Sequence, residues 1–308
     1  MEGTELTRKQ DTDRYAPRAK PESRSALIWR RLRRDMTALV SAAFLVVILA
    51  LTIGAPLFAP SDPTSGDLMS RLSPPVWSGG SRAYLLGTDQ QGRDVTSRLI
   101  WGGRVSLTVG FTVVLVAGVV GTLLGLVSGY AGGAVDLVVM RIVDIQSSFP
   151  GLLVALTFVM VLGPGQRNLI IALAFNGWMI HARMARSQVL TVRESAMVEA
   201  LRALGCSNVQ IVLGHILPNV VSPLITTYVL EVAHMIMAEC TMSFLGYGIQ
   251  PPQASWGLMI GEGRQYITNA QWLVTLPGLL IAGTVLALNL VGNFIRSELD
   301  PMRRGRKG

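Results

Sequence analysis

Apolar positions along this chain come in long unbroken runs separated by short polar islands, with no sustained period-two alternation. Stretches free of Asp, Glu, Lys and Arg cover residues 36–61, 105–135, 145–166 and 265–295. Each reaches the ~20 residues that a helix needs to cross a bilayer. Two further runs are weaker: 168–182 is bracketed by arginines, and 219–245 carries Glu231 and Glu239. Both are read as spans, because Arg183 and Arg186 can snorkel to the headgroups and glutamates can face the inside of a bundle. The alternative for 168–182 is a re-entrant or interfacial segment. The expectation is an all-α membrane protein of six transmembrane helices. Its parts are a tail over 1–36, a first transmembrane helix over 37–59, an external segment over 60–104, a core of five helices over 105–295 and a tail over 296–308.

Charge supplies the orientation. Residues 1–36 hold ten of the 27 Lys and Arg residues, including the run WRRLRRD (Trp29 to Asp35), and the chain ends in RRGRKG. Basic residues collect on the cytoplasmic side of membrane helices, so both termini are expected in the cytoplasm. Four spans then return the chain to the cytoplasm before Glu199, in a loop region that carries Arg183, Arg186, Arg193 and Arg202. Span count and charge agree.

Composition fits this picture: of 308 residues, 50% are hydrophobic and 15% charged. A net charge of +8 would suit nucleic acid, but the basic residues flank apolar runs and no aromatic-rich reading surface accompanies them. They are assigned to topology and anionic lipid contact. The first apolar run lies too far from Met1, and is too long, for a cleaved signal peptide, so it is expected to stay as a helix. Cys206 and Cys240 fall at different depths and are expected to be free thiols. His181, His215 and His234 are scattered, so no metal site is expected.

Catalytic signatures are missing. The lysines are Lys9, Lys20 and Lys307, none within a phosphate-binding loop, and neither His-Glu-x-x-His nor Gly-x-Ser-x-Gly occurs. The chain is therefore read as no enzyme, with no catalytic residues of its own. No internal repeat supports an inverted-repeat carrier. Residues 1–24 read as a disordered polar tail. In the second span Gly121, Gly125, Gly129 and Gly133 recur at i, i+4 and offer one bare stripe for close helix packing.

The polar island Glu199 to Pro218, EALRALGCSNVQIVLGHILP, holds the most specific local signals. Thr191 with Glu194, and Ser207 with Gln210, have capping-box spacing and predict two helix starts. Gly205 stands where the first helix should close in a left-handed residue. The expected form is helix, turn, helix. Val198, Leu201 and Leu204 recur every three residues and form an apolar stripe. Such a stripe either seats in a partner's groove, packs back on this chain, or lies on lipid.

EALRALG, nine residues, then HILPN resembles the EAA signature of the membrane subunits of ABC importers. LGTDQQGRDVTSRLIWGGRVSL (Leu86 to Leu107), GYAGGAVDLVVMRIVDIQSSFP (Gly129 to Pro150), SFLGYGIQPPQASWG (Ser243 to Gly257) and LNLVGNFIRSELDP (Leu288 to Pro301) are similar to further blocks of the C-type permeases for dipeptides, oligopeptides and nickel. The resemblance runs from about Leu86 to Pro301. It implies a type I importer permease fold in a bacterial or archaeal cell membrane, with loop 191–218 as the coupling helix. Glu199, Ala200, Leu201, Leu204, Gly205, Ile216 and Pro218 then become ATPase-coupling residues. The implied partners are a second, homologous permease, two ABC ATP-binding subunits, which would hold ATP and Mg, and an extracytoplasmic substrate-binding protein. This chain itself would bind no cofactor. Departures are Leu201 in place of a second alanine, Gly214 in place of a basic residue, and Asn293 and Ser297 in place of aspartates; Leu201 would enlarge the docking ridge.

Glu231, His234 and Glu239 sit at offsets of three and eight on one predicted helix. They are candidates to line a pathway, the alternative being interhelix hydrogen bonds. Asp136, Arg141 and Asp144 are expected to form a structural ion-pair cluster. The cargo is expected to be short peptides, with nickel and related small solutes also open. The competing expectations are a stand-alone carrier or channel and a membrane-bound enzyme.

Overall fold

The structure, a computed structural model, describes residues 29–299. The disordered tail expected over 1–24 and the end of the C-terminal tail lie outside the described residues. Every long element is helical, and among the described residues the only β pairing is two isolated bridges, Gly66 with Arg93 and Thr88 with Asp94.

Helix α1 (Met36–Ile53) starts where the Asp35 side chain accepts the Ala38 N–H, and stops at Gly54. A single turn, α2 (Ala55–Phe58), follows, then an irregular segment with two 3₁₀ turns. The 37-residue helix α3 (Val95–Ala131) begins ten residues before the charge-free run, because Asp94 accepts the Thr96 and Ser97 N–H groups as its N-cap. Beyond Gly132 come α4 (Gly133–Ser147), α5 (Gly151–Leu162) and α6 (Gln166–Arg193). The island forms α7 (Ala196–Ala203), α8 (Asn208–Ile211) and a π turn over Val212–Ile216 that runs into α9 (Leu217–Phe244). The chain finishes with α10 (Trp256–Gly263) and α11 (Trp272–Leu299).

Four helical stretches are long and apolar enough to cross a membrane: α1, α3, Asn208–Phe244 and α11. The run 145–166, expected as one span, is broken. Pro150 disfavours the helical conformation at Phe149, and α4 and α5 meet there at 87°. Side-chain contacts nevertheless carry this pair along the length of α6. Asp136 of α4 pairs with Arg186, Gln146 bonds to the Phe175 carbonyl, and Asn168 donates to Leu162 at the end of α5. From Arg186 to Asn168 is about 27 Å at ~1.5 Å per residue.

The close pair at the centre of the fold is α3 and α6, joined by the bare stripe. A Cβ on Gly121 would stand 2.2 Å from the Trp178 carbonyl oxygen, one on Gly125 2.4 Å from that of Ala182, and one on Gly129 2.9 Å from Val189 Cβ. Gly133 does not belong to this stripe, since α3 has already ended; its φ of +53° serves the break between α3 and α4. Around this pair sit three apolar clusters. Val109, Val113 and Ala117 pack against α5 and α6; Leu99 and Leu107 pack with Trp256, Ile236 and α11; Leu126 packs with Val189, Val198, Ile211, Ile216 and Leu224 beneath the island.

Contacts at the helix ends define two faces. On one, Arg31 before α1 pairs with Glu298 at the end of α11 at 2.6 Å, and Arg193 at the end of α6 donates to the last carbonyls of α3. The island lies on this face. On the other, the segment before α3 is clamped by buried charges: Arg93 and Arg98 both pair with Asp89 and with Glu262. Burial pushes the Asp89 carboxyl up, but Arg98 and Arg93 outweigh it and hold it below the ordinary carboxylate range.

Candidate functional site

The island folds as a tied hairpin, though not from the start signal at Thr191. Helix α6 runs through that residue, whose hydroxyl bonds back to the Ser187 carbonyl, and α7 starts at Ser195 instead. The second signal is used: Ser207 and Gln210 form a complete capping box. Between them Gly205 takes φ +80°. Cys206 N–H reaches the Leu201 carbonyl and Gly205 N–H that of Arg202, both bonds of a Schellman closure. Tyr130 at the end of α3 donates to Asn208 Oδ1 at 2.7 Å while Arg202 covers its ring. The hairpin is thus fixed to the helix that reaches the opposite face.

This fixing consumes most of the apolar stripe. Val198 is fully buried and Leu201 half-buried against Leu126, Val189 and Val220, and Ile216 is buried in the same cluster. Ile216 and the inner part of Leu201 therefore support the hairpin from beneath. Exposed on the outer side are Glu199, Ala200, Gly205 and Pro218, with Leu204 at 80% exposure, Val209 and Leu213. Pro218 has no N–H for the Gly214 carbonyl, and a π turn stands immediately before it. Cys206 and Cys240 are free thiols, the latter buried.

The three residues proposed for a pathway separate into two environments. Glu231 lines an open pocket of about 510 Å³ between α4, α6 and α9, and His234 Nδ1, outside that lining, lies 3.1 Å from Glu231 Oε1. Glu239 does not share it. Two turns on, it is completely buried and accepts bonds from Ser243 Oγ at 2.7 Å and Cys240 Sγ at 3.4 Å. Eight residues along an α-helix return about 80° off the starting face, and here that is enough to point Glu239 into the core. The interhelix ion pairs also differ from expectation: Asp136 pairs with Arg186 and Asp144 with Arg183, both on α6, while Arg141 joins neither. The clamp of Asp89, Arg93, Arg98 and Glu262 escaped the sequence reading, because Glu262 lies 164 residues from Arg98.

An all-helical bundle with several membrane-length apolar helices and a tethered helical hairpin on one face defines a multi-pass membrane protein. The chain belongs to the family of binding-protein-dependent transport system inner membrane components, whose model matches residues 121–305. Residues 23–75 match the N-terminal transmembrane domain of oligopeptide transport permease C. Among relatives, the dipeptide transport system permease protein DppC of Haemophilus influenzae is 38% identical over 274 residues, covering 89% of this chain and 93% of that protein. The probable D,D-dipeptide permease DdpC of Escherichia coli is 37% identical, covering 91% of this chain and 92% of that protein. The glutathione permease GsiD of Pectobacterium atrosepticum is 36% identical, covering 89% of each. An inward-facing structure of the MetNI methionine ABC transporter has the same fold, with a TM-score of 0.55 and 20% identity over 65% of this chain and 95% of that one. The chain is a permease subunit of an ABC importer in the inner membrane and not an enzyme.

Proposed function

We propose that this subunit crosses the membrane six times and forms half of a pathway for short peptides, with both termini and the hairpin in the cytoplasm. The α4–α5 pair supplies the third crossing and α6 the fourth. The path of that pair along about 27 Å of α6, close to the ~30 Å hydrocarbon thickness, supports this count. The positive-inside charge of the arginine-rich face supports the sidedness. The peptide cargo rests on the relatives named for dipeptides, D,D-dipeptides and glutathione.

The second half is a homologous permease, and an extracytoplasmic binding protein delivers the cargo. Two ABC subunits bind ATP and Mg, one docking on this hairpin and the other on the matching hairpin of the second permease. Leu204 carries this reading: an apolar side chain 80% exposed at the tip of a hairpin otherwise tied down on its inner side. Such a residue gains apolar burial by entering a partner's groove. Glu199 and Ala200 flank it, Gly205 makes the turn, Leu201 and Ile216 hold its base, and Pro218 stands at the start of the helix that follows. ATP-driven closure of the two ABC subunits would move the hairpin, and with it α3, α6 and α9. Glu231 and His234 face the pathway.

A mild-detergent pull-down from native membranes, with mass spectrometry of retained proteins, tests this. A second permease and P-loop ATPases should be recovered with the wild type, and the ATPases should be lost from Leu204→Asp while the protein remains in the membrane. Recovery of the chain alone, still transporting when reconstituted, would sink the proposal.

A further inference from the structure

The cavity beside Glu231 is more specialised than a passage wall. Its lining comes from three helices: Ser147 of α4; Asn176, Met179, Met184 and Arg183 of α6; Glu231 and Met235 of α9. Glu231 is only 6% exposed. One of its carboxylate oxygens meets His234 and the other has no protein partner among the described residues. Asn176 Oδ1 is buried and accepts no hydrogen bond. A carboxylate oxygen and an amide oxygen without partners, on two residues that line one open pocket, are two acceptors without a donor, and buried acceptors without donors are costly. An ammonium group supplies several donors and the matching charge.

Three of the remaining lining residues are methionines, beside Gly177, Ile180 and Ser187. Unbranched thioether side chains repack around different shapes, which is the surface expected where the apolar part of a ligand varies. Arg183 stands at the mouth, 57% exposed and paired with Asp144 at 3.1 Å, within the same lining. At about 510 Å³ the space is of small-ligand size.

We propose that this cavity is a subsite for the free amino terminus of a short peptide, with Glu231 and Asn176 receiving the ammonium and Met179, Met184 and Met235 accommodating whichever side chain follows. This rests on the peptide-permease reading above, and it assigns end-group recognition to the permease itself as well as to a delivering protein. Tolerance of side chains combined with strictness about the amino terminus is the specificity that this wall and these acceptors would give.

The test uses the purified transporter complex without binding protein and a photoreactive dipeptide, alanyl-photoleucine. Adducts are expected on the segments holding Met179, Met184 and Met235. Alanyl-alanine should compete about tenfold better than its N-acetyl derivative, the factor expected for one charge-assisted hydrogen bond. Glu231→Gln should remove that discrimination, and Ser187→Trp, an exposed position on the lining that is free to accept a large ring, should block labelling without disturbing the fold. Adducts elsewhere, or equal competition by the acetylated peptide in the wild type, would overturn the subsite. Uptake of alanyl-alanine by the wild-type complex with its binding protein is measured in parallel. Absent uptake overturns the peptide-permease reading itself, whereas uptake without cavity labelling overturns the subsite alone.

Discussion

Replacing Gly125 by alanine adds one methyl group to the seam between α3 and α6. That Cβ would stand 2.4 Å from the Ala182 carbonyl oxygen, 2.7 Å from Ala185 Cβ and 3.0 Å from the Arg186 nitrogen. Ordinary contact begins near 3.4 Å, so α6 must retreat by about 1 Å, and because two of the three obstacles are backbone, no side-chain rotation relieves the clash. A gap of that size forfeits a quarter to a half of the dispersion attraction along the rest of the seam, including the contacts at Gly121 and Gly129. Overpacking costs about 1–3 kcal/mol in general, and an unyielding backbone neighbour places this site at the upper end. The gain in helix propensity, about 1 kcal/mol, offsets only part. Thermal unfolding of the purified protein in detergent should show Tm lowered by several degrees. Gly278→Ala is the control: it lies inside α11, where an added Cβ meets nothing within 4 Å, and should leave Tm unchanged or slightly raised. A Gly125→Ala protein as stable as the Gly278→Ala protein would show that the seam is slack and refute the reasoning.

Gly205→Asp places a side chain at φ +80° with open space around it; a strain of about 1–2 kcal/mol should leave membrane insertion intact and abolish ATP-driven uptake, and its absence from the membrane would point to folding instead. Asp89→Ala leaves Arg93 and Arg98 with Glu262 alone; uncompensated buried charge typically costs about 3–5 kcal/mol, so limited proteolysis should cut residues 60–94 far faster than in the wild type. The same clamp should depend on pH in one direction. Because the folded Asp89 pKa lies below the ordinary one, its stabilisation is fully present above about pH 4 and is lost as pH falls through the lower folded value. Protease resistance of that segment should therefore hold at pH 5 and weaken only under stronger acid.

The long apolar runs were legible because bilayer thickness imposes a length on any crossing helix, and the glycine stripe because i, i+4 spacing survives in a straight helix. What failed had a local cause each time. The capping pattern at Thr191 was overridden by continuation of α6, whose residues Ala185 and Val189 are committed to α3 and the island. The stripe Val198–Leu201–Leu204 had the right period for docking, but period alone does not tell an inner face from an outer one. Its first residue closed the core, the second half-closed it, and the third stayed outside. The acceptors at Glu231 and Asn176 were half visible: a glutamate in an apolar run stands out, whereas an asparagine made unusual only by its lack of a partner does not.

Helix α9 differs from α3 in a way that affects how force leaves the island. It opens on a π turn, carries Pro218 at its start and has Pro223 one turn further in, so its first turns lack backbone bonds that an unbroken helix has. Helix α3 is continuous for 37 residues. A displacement of the hairpin thus meets one compliant limb and one stiff strut. The strut transmits motion over about 55 Å to the charge clamp on the far side, while the compliant limb absorbs bending close to where Glu231 begins. One stroke can therefore arrive as two unequal movements, passed whole along the strut to the opposite mouth and partly taken up by bending of the compliant limb before Glu231.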